Sequence, residues 1–377
     1  IDLLTGHGVE QIDPDKQTVA GSTTDGKGFE FSYDRLLIAA GSSAVRPDIP
    51  GIELPGVFVL KSLEDGRKIK SCLTNHSVQK AIIIGMGYIA LEMCESLVKL
   101  NIAVDLVKPN PVFLPWLEPS MAAVVKDGLK SKGVGVYAGH AVERIETSGN
   151  GLRAVSADLS IEGDMVLVGI GVTPNSQVAD RAGLEMSIAK SIAVDRSLRT
   201  SNKNIYAAGD CADAYHVVTD AKTWIPLALR ANRAGWAAAD NVIGKNAALD
   251  GVAGTSVFRV FDFEVARTGL NLAEAQKAGF DAVENMIQSS SRAHSYSSAS
   301  AHSIWVNLIG DKKSGRLLGA QMIGKEGVAH RINGPAVALH SQMTVAQYSQ
   351  TDLAYAPPFG PTWDPTLTAA NQLLKKL

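Results

Sequence analysis

The chain has 377 residues, 46% apolar and 20% charged, which excludes a wholly disordered chain, a coiled coil and a collagen-like fibre. Thirty-six basic against 38 acidic residues leave a net charge of -2, so nucleic-acid binding has no global electrostatic support. No uninterrupted apolar run is long enough to span a bilayer, and three cysteines cannot build a disulfide framework, so a cytoplasmic protein without membrane contact is expected.

Residues 8–40 read as short strands separated by turns. Val9–Ile12 precedes Asp13-Pro14-Asp15, Lys16–Ala20 returns, and Phe29–Tyr33 follows a second polar, glycine-containing turn. Leu36-Leu37-Ile38-Ala39-Ala40 is a continuous apolar run ending in Gly41, the pattern of a strand covered on both faces. Residues 47–56 are rich in proline and glycine and mark a crossover. Ala81–Ile84 is a second buried strand, residues 88–100 carry a helical apolar period, and Ile102–Val107 is a third strand. Helices are expected over 121–132 and 226–243, the second with Pro226 in its first turn. Strands are expected at 164–170 and 204–208. After Gly254 the pattern turns to alternating strands over 257–323, with a helix at 272–278. The Ser-rich stretch 289–303 reads as a long hairpin loop, and closing helices are expected at 328–340 and 365–376.

Gly85-x-Gly87-x-x-Ala90 stands between a buried strand and a helix. The first glycine permits the tight turn, the second lets backbone approach a pyrophosphate, and the small third residue lets helix and strand pack closely. The pyrophosphate of a dinucleotide would then meet the free N–H groups of the helix start. Lys108 ends the next strand, where a carboxylate would bind the 2′-hydroxyl of NAD and a cation accommodates the 2′-phosphate of NADP. Lys108 therefore leans towards NADPH; the alternative is a solvent-exposed lysine without that role.

Gly85-Met86-Gly87-Tyr88-Ile89-Ala90-Leu91-Glu92 resembles the NAD(P)H motif of the FAD-dependent pyridine nucleotide–disulfide oxidoreductases. Leu37–Gly41 with Pro47 and Pro50-Gly51 resembles the first crossover of that family, and Gly169–Asn175, which holds Gly171, resembles its second. Thr200–Asp210 resembles its second FAD motif. Leu353-Ala354-Tyr355-Ala356-Pro357-Pro358-Phe359 resembles the C-terminal signature of the branch with coenzyme A disulfide reductases, NADH oxidases and NAD(P)H polysulfide reductases. The resemblance spans essentially the whole chain. It implies an α/β fold of doubly wound FAD/NAD(P)-binding Rossmann-like domains with a C-terminal α+β dimerisation domain. The implied division is 1–61 and 178–254 for FAD, 62–177 for NAD(P)H and 255–377 for dimerisation.

The resemblance also implies site residues. Gly85, Gly87, Tyr88, Ile89, Glu92, Lys108 and Gly171 would serve NAD(P)H, with Tyr88 lying over the nicotinamide side of the flavin and swinging aside, and Glu92 positioning the nicotinamide end. Ala39, Gly41, Gly209, Asp210, Leu227 and Ala228 would serve FAD: Asp210 would accept a hydrogen bond from the ribitol, and backbone at the start of the helix after Pro226 would face the flavin pyrimidine edge. Tyr355 would reach the active site of the partner in a homodimer. The implied acceptor is a small-molecule disulfide, a polysulfide or dioxygen.

The family also has a glycine turn for the FAD pyrophosphate and, soon after it, a redox-active cysteine. Residues 1–40 hold no GxGxxG, and the first cysteine is Cys72. An N-terminally truncated chain that retains FAD poorly is therefore expected. Cys72, Cys94 and Cys211 do not match the nucleophile, and no CxxC is present. The histidines lack zinc spacing, and His340 lacks the downstream glutamate of a glutathione reductase-like acid–base pair, which favours the tyrosine branch. The rival readings are an inactive fragment that dimerises and binds nucleotide, and a ferredoxin or rubredoxin reductase.

Overall fold

The computed structural model describes residues 1–296 and 301–377. They form two compact units, each made of two stretches of chain: 44–171 with 255–377, and 1–43 with 172–254. Compact packing thus places the proline-rich crossover with the larger unit. The cause is local pairing. Pro50 O accepts the Ile145 N–H at 2.8 Å, and the strand Val57–Val59 joins the parallel sheet of the larger unit.

In that unit β1 (Lys80–Ile84), α1 (Tyr88–Lys99) and β2 (Ala103–Lys108) form the strand–turn–helix–strand motif read from the sequence. β3 (Met165–Val168) returns parallel to β1 on its other side, and Val57–Val59 and Gly135–Ala138 complete a five-stranded sheet at its two edges. Side chains of β1 alternate between two covers. Ala81 and Ile83 pack with Leu91, Cys94 and Leu97 of α1, whereas Ile82 and Ile84 pack with Ile145, Leu152, Ala154 and Ile161. The second cover is an antiparallel sheet of Arg144–Ser148, Gly151–Val155 and Ser160–Gly163. Burial on both faces explains the unbroken apolar run; each large aliphatic side chain so buried contributes about 1.5–3 kcal/mol.

Residues 255–377 build an antiparallel sheet that starts with β4 (Ser256–Val260). Its order is β4, Phe263–Gly269, Leu317–Gly324, Ser303–Asp311, Ala282–Ser290. Phe258, Val260, Val265 and Ile323 belong to the same buried cluster as Leu91 and Leu97, so the α+β domain and the helical cover of the parallel sheet share a core. The Ser-rich stretch links two paired strands, and residues 297–300 of it lie outside the described residues. The single helix expected over 328–340 is two, Val328–Arg331 and Asn333–His340. Pro335 explains the break: it offers no N–H to the carbonyl of Arg331, four residues back, and its ring crowds that carbonyl.

The smaller unit holds a three-stranded antiparallel sheet, His7–Asp13, Thr18–Thr23 and Gly28–Ser32, and a parallel pair, Leu36–Ile38 with Ile205–Ala207. Its long helix, α2 (Ala228–Val242), turns Ala234, Ala237 and Ala238 into a core with Ile205, Ala207 and Cys211. α2 does not begin at Pro226 as expected. Leu227 is its extended N-cap, with φ -127°, and Pro226 is the middle of a tight turn in which the Leu227 N–H donates to Ile225 O at 3.0 Å. Among the described residues no helix is long and apolar enough to cross a membrane.

Candidate functional site

The glycine turn lies at the carboxyl ends of β1, β2 and β3, where open α/β sheets take their ligands. Gly85 N–H donates to Val107 O at 2.8 Å, and Gly169 N–H donates to Ile84 O at 2.8 Å. The turn is therefore tied to both neighbouring strands. Gly85 has φ +121°, and a Cβ there would lie 2.2 Å from Gly169 O. Gly85→Ala should accordingly destabilise the fold by about 2–4 kcal/mol, the sum of a disallowed backbone conformation and a backbone clash. Urea unfolding measures this, and a midpoint equal to wild type would contradict it.

Gly87 differs in both respects. Its φ is -85°, and a Cβ would meet nothing within 4 Å. It is the N-cap of α1 and no side chain caps that end, so the first N–H groups face open space. Gly171, φ +121°, borders equally open space. Ala90 is fully buried, and a Cβ on Gly169 would lie 3.3 Å from its Cβ, which is the close helix–strand approach that the small third residue permits. These features fit a dinucleotide pyrophosphate: bare donors, a positive helix end and room for an anion.

Lys108 is the last residue of β2 and half-buried. Burial pulls its ammonium below the usual lysine value, and among the described residues no hydrogen bond or ion pair engages it. Asp105, inside β2, pairs instead with Lys80 at 2.7 Å. Ile89 is exposed at the start of α1. Tyr88 faces the C-terminal domain: its hydroxyl shares a 3.0 Å hydrogen bond with Ser256 Oγ, and its ring lies 5.1 Å from Phe258 and 5.8 Å from Trp116. Any swing of Tyr88 breaks that bond. Two helical turns on, the Glu95 carboxylate accepts the Phe261 N–H at 2.6 Å. Desolvation raises the Glu92 carboxyl above its ordinary value; the Arg259 N–H opposes this and the Glu95 carboxylate adds to it. Polar contacts thus clasp α1 to β4 and the turn after it, and none was legible in the sequence.

In the smaller unit a second set of residues gathers around Gly209-Asp210. Gly209 has φ +83°. Asp210 Oδ2 accepts from Ser42 Oγ at 2.8 Å, and Asp210 O accepts from Trp224 Nε1 at 2.8 Å. Ala39 is exposed at the end of the strand Leu36–Ile38, and Gly41, φ +69°, borders open space. Asn175 holds this end through its N–H to Gly41 O at 2.9 Å and its amide to Ala40 O at 2.9 Å. Leu227 caps α2 without a side-chain hydrogen bond, and the Ala231 N–H is the first to close the helix, on Leu227 O at 3.0 Å, so among the described residues the N–H groups of Ala228, Leu229 and Arg230 are open to a ligand. A carboxylate, a glycine bordering open space and an uncapped helix fit the ribitol and pyrimidine edge of FAD. Ser42, Trp224 and Arg230 were missed; Arg230 donates to Gly209 O and Asp213 O, and burial lowers its pKa while Asp213, Cys211 and Asp210 oppose that.

The three cysteines are thiols in apolar settings. Burial raises Cys72 and Cys211, and pushes Cys94 up to about 12 with help from Glu95. Such thiols are poor nucleophiles at neutral pH.

Tyr355 stands half-exposed beside Phe359 and Trp363, which are 79% and 60% exposed. The segment is fixed through its backbone. Ala293 N–H donates to Pro357 O at 3.2 Å, and Arg331 Nη2 donates to Phe359 O at 2.8 Å. Arg331 also pairs with Asp364 at 2.8 Å. A rigid loop therefore presents three aromatic rings to the surface.

The model of the pyridine nucleotide-disulphide oxidoreductases matches residues 1–235, and that of their dimerisation domain matches residues 255–365. The chain is 33% identical to an NAD(P)H sulfur oxidoreductase (CoA-dependent) of Pyrococcus furiosus, over 93% of this chain and 78% of that protein. It is 32% identical to an NADH oxidase of Methanocaldococcus jannaschii, over 100% of this chain and 84% of that protein. Its structure is similar to that of an NAD-dependent persulfide reductase from A. fulgidus, with a TM-score of 0.95 and 38% identity over 100% of this chain and 70% of that one.

Proposed function

The chain belongs to the pyridine nucleotide-disulphide oxidoreductase family, and from that premise we propose that it passes electrons from NAD(P)H through FAD to the sulfur of a small-molecule disulfide or polysulfide. The observation that carries this reading is the bare, uncapped glycine turn of α1 in a chain that is similar throughout to a persulfide reductase. When bound, FAD supplies hydride acceptance and onward electron transfer. The protein supplies the rest. Gly85 and Gly87 shape the pyrophosphate seat, and the N-terminus of α1 balances its charge. Tyr88 and Glu92 line the nicotinamide end. Asp210, with Ala39, Gly41, Gly209, Leu227 and Ala228, forms the seat for the flavin side. Residues 255–377 pair two copies of the chain, and Tyr355 enters the partner's site. Residues 1–43 with 172–254 hold FAD, and 44–171 hold NAD(P)H. Dioxygen is the second acceptor to consider, because an NADH oxidase is among the relatives.

The two acceptors separate in one experiment. Without oxygen, polysulfide or coenzyme A disulfide should sustain NAD(P)H oxidation by the full chain faster than air does in their absence. Faster oxidation in air alone would shift the assignment to an oxidase.

Lys108 supports NADPH as the nucleotide. A cation with no protein partner at the end of β2 suits the 2′-phosphate of NADPH. Lys108→Glu should shift preference from NADPH towards NADH by about 1–2 kcal/mol, the worth of one charge-assisted contact. Binding of both nucleotides by wild type and variant measures this, and a wild type that already favours NADH tenfold would contradict it.

A further inference from the structure

Arg230 is the third residue of α2, and only 7% of it is exposed. Its two terminal nitrogens donate to Gly209 O and Asp213 O, the carbonyls on either side of Asp210, Cys211 and Ala212. Both partners are neutral. The nearby Asp213 carboxylate is fully buried: its Oδ1 accepts from Lys222 and from the Val194 N–H, each at 3.0 Å, its Oδ2 has no hydrogen-bond partner among the described residues, and its charge acts on Arg230 without an ion-pair contact. Among the described residues Arg230 makes no ion pair. A guanidinium keeps its proton in proteins, so a full positive charge is held out of water without a contact counter-ion. Burying such a charge costs several kcal/mol, which two hydrogen bonds to carbonyls roughly offset and do not exceed. The charge lies beside the uncapped N-terminus of α2, which carries the positive end of the helix dipole.

We propose that Arg230 is the buried cation of the flavin site: it holds the Gly209-Asp210 turn in place and stabilises the negative charge that develops at the flavin on reduction. This rests on the FAD reading above. Hydride transfer moves two electrons and one proton from NAD(P)H, releases NAD(P)+ and leaves one net negative charge at the flavin. A cation under the turn and a helix N-terminus at the pyrimidine edge both favour that charge. Arg230 is a positioning residue through the turn and an electrostatic one through its charge.

The test compares Arg230→Gln, which keeps a donor and loses the charge, with Arg230→Lys, which keeps the charge. Both are measured on the full chain loaded with FAD, by reduction midpoint potential and by sulfite affinity, since the sulfite adduct places a negative charge on the same ring. Arg230→Gln should move the potential to more negative values and weaken sulfite binding about tenfold, the scale of a partly buried charge at a helix end. Arg230→Lys should stay near wild type. Equal potentials in wild type and Arg230→Gln would overturn the proposal and leave only a structural tie. If Arg230→Gln does not fold, Asp213→Asn reads the same field with opposite sign: the potential should rise, and an unchanged potential overturns the proposal. A wild-type chain that takes up no FAD even when FAD is supplied in excess would defeat the FAD reading itself, an outcome distinct from a bound flavin whose potential ignores Arg230.

Discussion

Gly87→Val removes NAD(P)H binding by about a hundredfold or more while the fold stays intact. The backbone at Gly87 is extended, with φ -85° and ψ -173°, a conformation valine adopts readily, and its Cβ would meet nothing within 4 Å. The cost to stability should be within about 0.5 kcal/mol. The empty space, however, is where a pyrophosphate must approach the N–H groups of α1. A branched side chain there blocks them, and losing two charge-assisted hydrogen bonds of about 1.5–3 kcal/mol each gives the stated loss. Calorimetric titration with NADPH and NADH, beside urea unfolding, measures both halves. Unchanged affinity would remove the nucleotide assignment. The contrast with Gly85 is informative, because two glycines only two residues apart should fail in opposite ways, one in stability and one in binding.

The second large effect is expected at Tyr355. Its hydroxyl has no hydrogen-bond partner among the described residues, and the Ala-Pro-Pro-Phe run after it is pinned by Ala293 and Arg331. Proline restricts itself and the residue before it, so the loop can hold a phenol steadily. A phenol can donate a proton to a leaving thiolate, and general acid catalysis of this kind is worth about 10²–10⁴-fold. Tyr355→Phe keeps the ring and removes the hydroxyl. In a dimeric form of the protein that carries a redox-active cysteine, disulfide reduction should slow by about a hundredfold while flavin reduction by NAD(P)H keeps its rate. Equal loss in both half-reactions, or in neither, would leave Tyr355 as interface packing, and a monomer in solution would contradict the arrangement as a whole.

The sequence reveals those parts whose cause is local. β1, the glycine turn and α1 follow from an apolar run, a glycine pair and a helical period within a few residues. The antiparallel sheet over 144–163 was not read. Its strands carry Glu146, Arg153 and Glu162 on one side, paired across strands at 3.3 and 2.7 Å, and only Ile145, Leu152, Ala154 and Ile161 face the core. That alternation is short and dominated by charge, although Gly149-Asn150-Gly151 was a usable turn signal. The helix Leu63–Asn75 carries a local start signal of its own, because Ser62 and Asp65 form a capping box. Long-range partners were beyond reach. Tyr88 meets Ser256 across 168 residues, and Ser42 meets Asp210 across the same separation. No periodicity encodes such pairs; they appear only once sheet order has brought the segments together.

Rapid mixing without oxygen follows the path of the electrons itself. The full chain loaded with FAD is mixed with NADPH, and the absorbance of oxidised flavin is followed; polysulfide or coenzyme A disulfide is then added. Bleaching within the turnover time is expected, followed by return of the yellow colour with consumption of the sulfur acceptor. Flavin that stays yellow with both NADPH and NADH, or bleached flavin that no sulfur acceptor reoxidises, would contradict it.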